Sequence, residues 1–209
     1  EGLFDQIGPA LELGRSFVRL EYQRSYSPLL LLWKGIGHFV AMNPKYRILF
    51  GPVSINSQYD SISRRLIANF LEGSNYLPEV ASQIRPRNPL RSNTIHGSDV
   101  KETSTVVRDI EEISELVREI ETEHTGIPVL LRQYLRLGGK LLGFNLDPDF
   151  GDVLDGLILV DLSKTEMKLL EKYMGKEGAT KFLQYHETKV QEADRNSKTP
   201  NNVTKLRSH

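Results

Sequence analysis

The sequence contains no cysteine among its 209 residues. Disulfides, thiolate nucleophiles and cysteine-based zinc sites are therefore all excluded. Neither sign of charge is in excess, because 27 Lys and Arg residues balance 27 Asp and Glu residues. No overall field recruits nucleic acid, and we expect no nucleic-acid partner. Long apolar runs are also lacking: the longest, residues 28–42, contains Lys34 and His38 and is shorter than the roughly 18 residues of a membrane span.

The start of the chain lacks the basic segment and apolar core of a signal peptide. An initiator Met is missing too, and a predicted strand follows almost at once. These features predict an N-terminally truncated fragment whose remaining fold is encoded upstream. We expect one domain over residues 1–187 and a polar, disordered tail over residues 188–209.

The first sixty residues predict a strand, a helix and a second strand. The first strand covers residues 9–20 and the second covers 46–55, where Pro52 cannot donate to a ladder and is expected to interrupt pairing. Ser27 and Pro28 are typical of a helix start, and Asn43 and Pro44 end that helix near Met42. Apolar residues cover most of its circumference, which predicts burial on more than one side.

Later segments alternate between helical and strand patterns. Helices are predicted at 60–71, 100–123, 129–137 and 166–187, the last broken near Gly175 and Gly178, and strands at 140–146 and 156–162. Residues 73–98 predict a long loop that is either a lid or a disordered insert. Within it, the basic run 85–91 contacts lipid headgroups or an acidic carrier, or is simply solvated.

Glu12 and Arg15 are the candidate catalytic residues of the first strand. A carboxylate can hold an ammonium group or accept its proton, and an Arg can orient that carboxylate or bind an acidic group. The two side chains point to opposite faces of an ideal strand unless a bulge joins them. The alternative is a structural ion pair or charges that keep an edge strand soluble.

Two further features suggest binding. Arg19, Arg24 and the helix start at Ser27 place basic groups beside free helical N–H groups, which suits a phosphate; the alternative is a solvated basic loop. If the two predicted strands are neighbours, a break at Gly51 and Pro52 splays them, and an extended amide-bearing ligand can pair with the freed backbone. The alternative is a simple bend.

No metal site is predicted. The loop 147–155 contains four Asp residues but lacks the register of a calcium loop. It is interpreted as a polar hairpin loop or as an acidic rim for a cationic acceptor. The histidines have no ligand spacing and suggest no catalytic triad.

The segment from Glu12 to Val18 resembles N-acyltransferases of the Gcn5-related superfamily that use acyl carrier protein thioesters. Its Glu-x-x-Arg arrangement is similar to that of acyl-homoserine lactone synthases. A fuller resemblance is to ornithine-lipid acyltransferases and hemolysin-like bacterial proteins. The motifs that carry it are residues 28–36, 50–54, 63–64, 138–144 and 149–151.

This resemblance implies an α/β fold with a mixed central sheet flanked by helices. It implies that the strands 9–20 and 46–55 splay around the pantetheine arm of acyl carrier protein or coenzyme A. Because the acylated carrier is a co-substrate, no resident cofactor is expected. It also implies a phosphate at the start of the 28–42 helix. The residues assigned to the arm are Ser16, Phe17, Val18, Arg19, Arg24, Ser27, Gly51 and Pro52.

The implied reaction moves a long-chain acyl group to the amine of an amino acid such as ornithine, with Glu12 and Arg15 as the catalytic pair. The implied partners are acyl carrier protein and an amino-acid or lipid acceptor. The implied location is cytoplasmic, with peripheral contact to the inner membrane face. The family's N-terminal strands and helices are missing from the sequence. The alternative is a non-catalytic lipid- or partner-binding module of the kind fused to glycerolipid acyltransferases.

Overall fold

The computed structural model describes residues 3–14, 17–23, 27–90, 109–122 and 126–198. The chain divides into two compact units, one formed by residues 1–24 and 46–166 and the other by residues 25–45 and 167–209. The first unit contains α1 (Leu3–Ile7), β1 (Ala10–Glu12), β2 (Ile48–Ile55), α3 (Ser61–Ser74), α4 (Pro78–Ala81), α5 (Ile110–Ile120), α6 (Val129–Arg136), β3 (Lys140–Asp147) and β4 (Val153–Asp161). The second contains α2 (Ser27–Met42), α7 (Met167–Met174) and α8 (Lys176–Lys198).

The first unit is built around a four-stranded sheet in the order β1-β2-β4-β3. β1 runs parallel to β2, whereas β4 is antiparallel to both β2 and β3. The sheet is therefore mixed, and together with its helices it confirms the predicted mixed α/β fold. β3 and β4 also confirm the two later strands, although β4 begins at Val153, earlier than the predicted 156.

The two faces of the sheet differ in burial because side chains alternate along each strand. Leu49, Val53 and Ile55 of β2 are fully buried and define the inner face. On the outer face Ile48 is buried and packs with the buried Leu142 and Leu159, and α4 and its flanks cover this part with Leu77, Val80 and Ile84. Further along β2 the outer face is open, since Pro52 and Ser54 are exposed.

Residues 75–90 close the outer edge of β3. Leu77 N donates to the Leu141 carbonyl at 3.0 Å, and Leu146 N donates to the Asn88 carbonyl at 2.8 Å. Residues 73–90 are therefore a structured segment, because an edge strand offers backbone groups that a passing segment can satisfy; their role as a lid stays a prediction. The remainder of that predicted loop, 91–98, lies outside the described residues.

α3 and α5 start at side-chain caps that satisfy free N–H groups. The Asp60 carboxylate accepts from Ile62 N at 2.7 Å, and the Asp109 carboxylate accepts from Glu111 N and Glu112 N at 2.9 Å each. Both helices had been predicted from apolar spacing. Part of the predicted 100–123 helix, residues 100–108 and 123, lies outside the described residues.

The second unit packs α2 against α7 and α8. Trp33, Gly37 and Val40 are the buried residues of α2, and the Trp33 and Tyr173 rings lie 6.1 Å apart. A Cβ at Gly37 would meet the Tyr173 carbonyl oxygen at 2.6 Å, so only Gly allows this approach. The prediction that α2 is buried on more than one side is wrong, because its two neighbouring helices cover a single face.

The terminal helices differ from the prediction in length. Gly175 has φ +76 and separates α7 from α8, which confirms the predicted break there. Gly178 lies within α8, and α8 continues to Lys198. A disordered tail from 188 is therefore wrong as far as Lys198, and residues 199–209 lie outside the described part. None of the helices in the described residues is long and apolar enough to cross a membrane.

Candidate functional site

The pairing of β1 with β2 ends well before β2 does. The parallel register runs from Ala10 opposite Ile48 to Glu12 opposite Phe50, and Leu13 N donates one more bond to the Phe50 carbonyl at 2.7 Å. β2 continues to Ile55, paired only with β4 among the described strands. The predicted strand over 9–20 is therefore too long, since β1 stops at Glu12.

The predicted interruption of strand pairing at Gly51 and Pro52 is also wrong for the pairing of β2 with β4. Gly51 pairs with Ile158 and Pro52 with Leu157 without a break in register. β2 accommodates Pro52 because the N–H and C=O groups of one strand residue point to the same edge of the strand, and those of the next residue point to the opposite edge. The Phe50 carbonyl bonds to β1, so the backbone groups of Pro52 and Ser54, two and four residues further on, also point towards the β1 side. The N–H that proline lacks is therefore not needed for any bond to β4.

The result is an open strand edge, which we call the strand wedge: the β1-facing edge of β2 from Gly51 to Ile55, beyond the last pair of Glu12 and Phe50. It presents the Pro52 carbonyl and the N–H and carbonyl of Ser54. No strand in the described part of the chain pairs with it. An extended ligand that carries amide groups can bond to such an edge as an added strand would.

Gly51 lies at the inner end of the strand wedge, where the segment after β1 and the helix α6 both approach it. A Cβ built on Gly51 would lie 2.5 Å from the Leu13 carbonyl oxygen, closer than real atoms approach, and 3.5 Å from the Tyr134 hydroxyl. Tyr134 comes from α6 and is only 1% exposed. Burial raises the pKa of Tyr134 to about 12, so its hydroxyl stays protonated near neutral pH.

The raised pKa of Tyr134 predicts a loss of stability at high pH. Unfolding returns the phenol to water, where its pKa is near 10, so between about 10 and 12 the unfolded state gives up the proton and the folded state keeps it. The free energy of unfolding should be unaffected by this group below pH 10. Between pH 10 and about pH 12, the free energy of unfolding should fall by up to about 1.4 kcal/mol per pH unit.

Urea denaturation at several pH values measures this slope. Tyr134→Phe should flatten it, whereas Tyr22→Phe, which alters an exposed tyrosine of the same unit, should leave it as in the wild type. Equal slopes in all three proteins would show that burial does not perturb Tyr134.

Glu12 is exposed on the outer face of the sheet, on the side of Phe50. Its carboxylate Oε1 lies 3.1 Å from the position that a Cβ on Gly14 would occupy, so the missing side chain at Gly14 leaves room for it. A second carboxylate on this face, Asp155, accepts a hydrogen bond from the Ser54 hydroxyl at 2.6 Å. Asp155 is two strands and four residues away, roughly 16 Å from Glu12, so one small molecule cannot contact both.

For some of the other predicted site residues the structure records contacts of their own. Arg19 forms an ion pair with Glu21 at 2.6 Å. Phe17 is exposed, and the Val18 carbonyl accepts from the Gln23 side chain at 2.9 Å. Ser27 opens α2 in the second unit. Arg15, Ser16 and Arg24 lie outside the described residues, so the catalytic pair and the phosphate site stay predictions.

The loop 147–155 forms the β3–β4 hairpin, and two of its carboxylates accept hydrogen bonds. The Asp147 carboxylate accepts from Asp149 N at 3.1 Å, and Asp155 receives the Ser54 hydroxyl. These contacts support the interpretation as a polar hairpin loop. In the described ranges no group of three His, Asp or Glu residues is arranged to hold a metal ion.

Comparison of the sequence with known proteins finds two similar enzymes, both named glycine N(alpha)-acyltransferase. Over 166 residues the chain is 31% identical to a glycine N(alpha)-acyltransferase of Bacteroides thetaiotaomicron, and the aligned region covers 75% of this chain and 48% of that protein. A glycine N(alpha)-acyltransferase of Phocaeicola vulgatus is 29% identical over 165 residues, covering 74% and 49%. The chain thus spans about half the length of these relatives. No protein-family model and no solved structure matches it.

Tyr134 was missed by sequence reasoning. It occupies an ordinary apolar position of an amphipathic helix, and nothing in the local pattern separates it from a core residue. Its approach to Gly51 depends on a contact between residues 83 positions apart, which only the fold reveals.

Proposed function

We propose that this chain forms the donor-binding part of an N-acyltransferase that moves an acyl group from a thioester to the amine of an amino acid. The observation that carries the proposal is the strand wedge, which opens where the exposed carboxylate of Glu12 stands. The similarity to two glycine N(alpha)-acyltransferases supports the same reaction class. The donor is acyl carrier protein or coenzyme A, since both end in a pantetheine arm that carries amides.

The arm is proposed to lie along the strand wedge as an added strand. The Ser54 N–H can donate to one amide of the arm, and the Pro52 carbonyl can accept from another. Leu13 and Gly51 close the inner end of the wedge, since their backbones approach as closely as a glycine permits. The thioester is therefore proposed to stop at this point, next to Glu12.

The reaction at that point forms one bond and breaks another. The neutral amine nitrogen attacks the thioester carbonyl carbon, and a C–N bond forms as the C–S bond breaks. Glu12 generates this neutral amine by accepting a proton from the acceptor's ammonium group, and the proton that the nitrogen loses after the attack passes to the departing thiolate. Backbone N–H groups just beyond β1 are proposed to stabilise the oxyanion.

The acceptor is proposed to be a small amino acid. The relatives are named for glycine, and the resemblance at sequence level implies ornithine. A second carboxylate near Glu12 would favour an acceptor with a second ammonium group, but Asp155 lies too far away to provide it. Glycine and ornithine are therefore the two acceptors to compare, with a long-chain acyl group on the donor.

Product analysis tests the proposal. The complete gene product is incubated with palmitoyl acyl carrier protein or palmitoyl coenzyme A, with glycine, ornithine or no amine. We expect mass spectrometry to detect an N-palmitoyl amino acid in an amount equal to the thiol released, and the better donor to show saturable binding.

Salt distinguishes the donors, because attraction to an acidic carrier protein weakens as ionic strength rises. Release of thiol without an acylated amine would indicate a thioesterase. No thiol release from either donor would contradict the proposal and favour the non-catalytic module.

A further inference from the structure

The strand wedge is closed at its inner end, so an acyl chain that starts there cannot continue between the two strands. Glu12 and Phe50 are paired at this point, and Leu13 N donates to the Phe50 carbonyl at 2.7 Å just beyond them. The Leu13 carbonyl oxygen also lies so close to Gly51 that no Cβ would fit between them. The chain must therefore leave toward one of the two faces of the sheet.

The inner face is filled at this position. Val53 on β2 and Ile158, which pairs with Gly51 on β4, are 2% and 0% exposed. Tyr134 of α6 covers the same place, since its hydroxyl lies 3.5 Å from the Cβ position of Gly51. Close-packed side chains would have to move apart to admit an alkyl chain, and such movement costs stability. The inner face is therefore an unfavourable path.

The outer face is open at the same position. Pro52 and Ser54 are exposed, and Leu157, which pairs with Pro52 on β4, is only partly buried. Leu157 packs against the buried outer-face cluster, as do Val80 and Ile84 in and just after α4, and these two are partly buried as well. We call Leu157, Val80 and Ile84 the apolar ledge.

The polarity of the outer face gives the direction of the path. On the hairpin side the Ser54 hydroxyl donates to the Asp155 carboxylate at 2.6 Å, and an alkyl chain laid there would remove water from a charged group. On the opposite side Leu159 is only 5% exposed and is already covered. Leu157 lies one strand from Pro52, and α4 packs on β3, the next strand. The apolar ledge thus extends across two strand spacings, roughly 10 Å.

We infer that the apolar ledge holds the first part of the donor's acyl chain, an assignment that rests on the proposed reaction. An extended alkyl chain advances about 1.3 Å per carbon, because its tetrahedral C–C bonds are about 1.5 Å long, so roughly eight carbons span the ledge. A fully buried methylene strengthens binding about fourfold, and one that is covered on a single side about twofold. Affinity should therefore rise up to about eight carbons and then level off.

Titration calorimetry with unreactive donors tests this inference on the complete gene product. The probes are S-alkyl thioethers of coenzyme A and of acyl carrier protein with four, eight or twelve carbons, which keep the arm and the chain but lack the reactive carbonyl. We expect the eight-carbon probe to bind about tenfold or more tightly than the four-carbon probe, and the twelve-carbon probe to gain no more than about threefold over it.

Substitutions in the apolar ledge should change the ratio of the eight-carbon to the four-carbon affinity. Leu157→Ser and Ile84→Ser should each lower this ratio to about threefold or less, and a ratio within one protein is independent of the fraction that is folded. Leu157→Met keeps an apolar side chain of similar volume and should keep the wild-type ratio. Val129→Ser is the matched control, because it replaces an exposed apolar residue of the same unit outside the ledge.

Equal affinities for the four-carbon and eight-carbon probes would overturn the inference, as would a wild-type ratio in both serine variants or no binding of any probe. Turnover separates this result from a failure of the proposed reaction. Acyl transfer with binding that is independent of chain length removes the ledge and keeps the reaction. Binding that depends on chain length without release of thiol contradicts the reaction and supports the ledge as an alkyl-chain site.

Discussion

Replacing Glu12 by glutamine in the complete gene product is expected to lower the turnover number by about 10²–10⁴-fold, the usual contribution of a positioned base. Glutamine preserves the size of the side chain and its position beside Gly14, but it cannot accept the proton of the acceptor's ammonium group. The effect should appear in kcat measured with saturating donor and acceptor. The deficit should narrow at higher pH, where more of the amine is already deprotonated in solution.

Glu79→Gln is the matched control, because it removes an exposed carboxylate of the same unit from a helix outside the site. Its turnover should equal that of the wild type at every pH. If Glu12→Gln retains full turnover while the wild type is active, Glu12 has no part in proton transfer. The strand wedge would then have to act with another base or with an amine that arrives deprotonated.

The helices and the three longer strands were accessible from the sequence because their signals are local. Apolar spacing predicted α3 and α5, and the predicted strands overlap β2, β3 and β4. The length of β1 was overestimated because an extended segment is a strand only as far as a partner pairs with it. Leu13 and Gly14 continue beyond the last register pair of β1 and β2, and no pattern within residues 9–20 encodes that end.

The burial of α2 was overestimated for a related reason. Its composition shows how much apolar surface it has, but not how many neighbours cover it. In the structure α7 and α8 contact it, and Gly37 sits against the Tyr173 backbone. Other apolar residues of the helix, among them Leu31 and Met42, are exposed. A near-continuous apolar pattern is therefore compatible with a helix whose buried residues all lie on one side.

The candidate site could be predicted only in part. From the residues, Glu12 was predicted as a catalytic partner of Arg15, and Gly51 and Pro52 were predicted separately as a break in the second strand. The structure places Glu12, Gly51 and Pro52 at the end of one strand pairing. The reason given for Pro52 was wrong, since it lies at the open edge and leaves the β4 ladder intact. The edge that a proline faces depends on the register of two partners, which no single-strand pattern contains.

Replacing Gly51 by alanine is expected to destabilise the protein by about 1–3 kcal/mol, the usual cost of forcing a methyl group into filled space. The new Cβ would lie 2.5 Å from the Leu13 carbonyl oxygen. That oxygen belongs to the backbone and cannot swing aside as a side chain can. Leu13 must therefore shift away from β2, which weakens its 2.7 Å bond to the Phe50 carbonyl. Urea denaturation should show a lower midpoint with an unchanged slope.

The same substitution should lower the rate of acyl transfer at least tenfold, measured without urea at a temperature where the variant remains folded. A shift of about 1 Å at a reacting centre can lower a rate by that much or more. Gly143→Ala is the control: it also places a methyl group in a strand of this sheet, but no atom lies within 4 Å of that Cβ. It should change stability by no more than about 0.5 kcal/mol and leave turnover unchanged. A Gly51→Ala protein as stable and as active as the control would mean that the close approach of β1 to β2 does not define the inner end of the strand wedge.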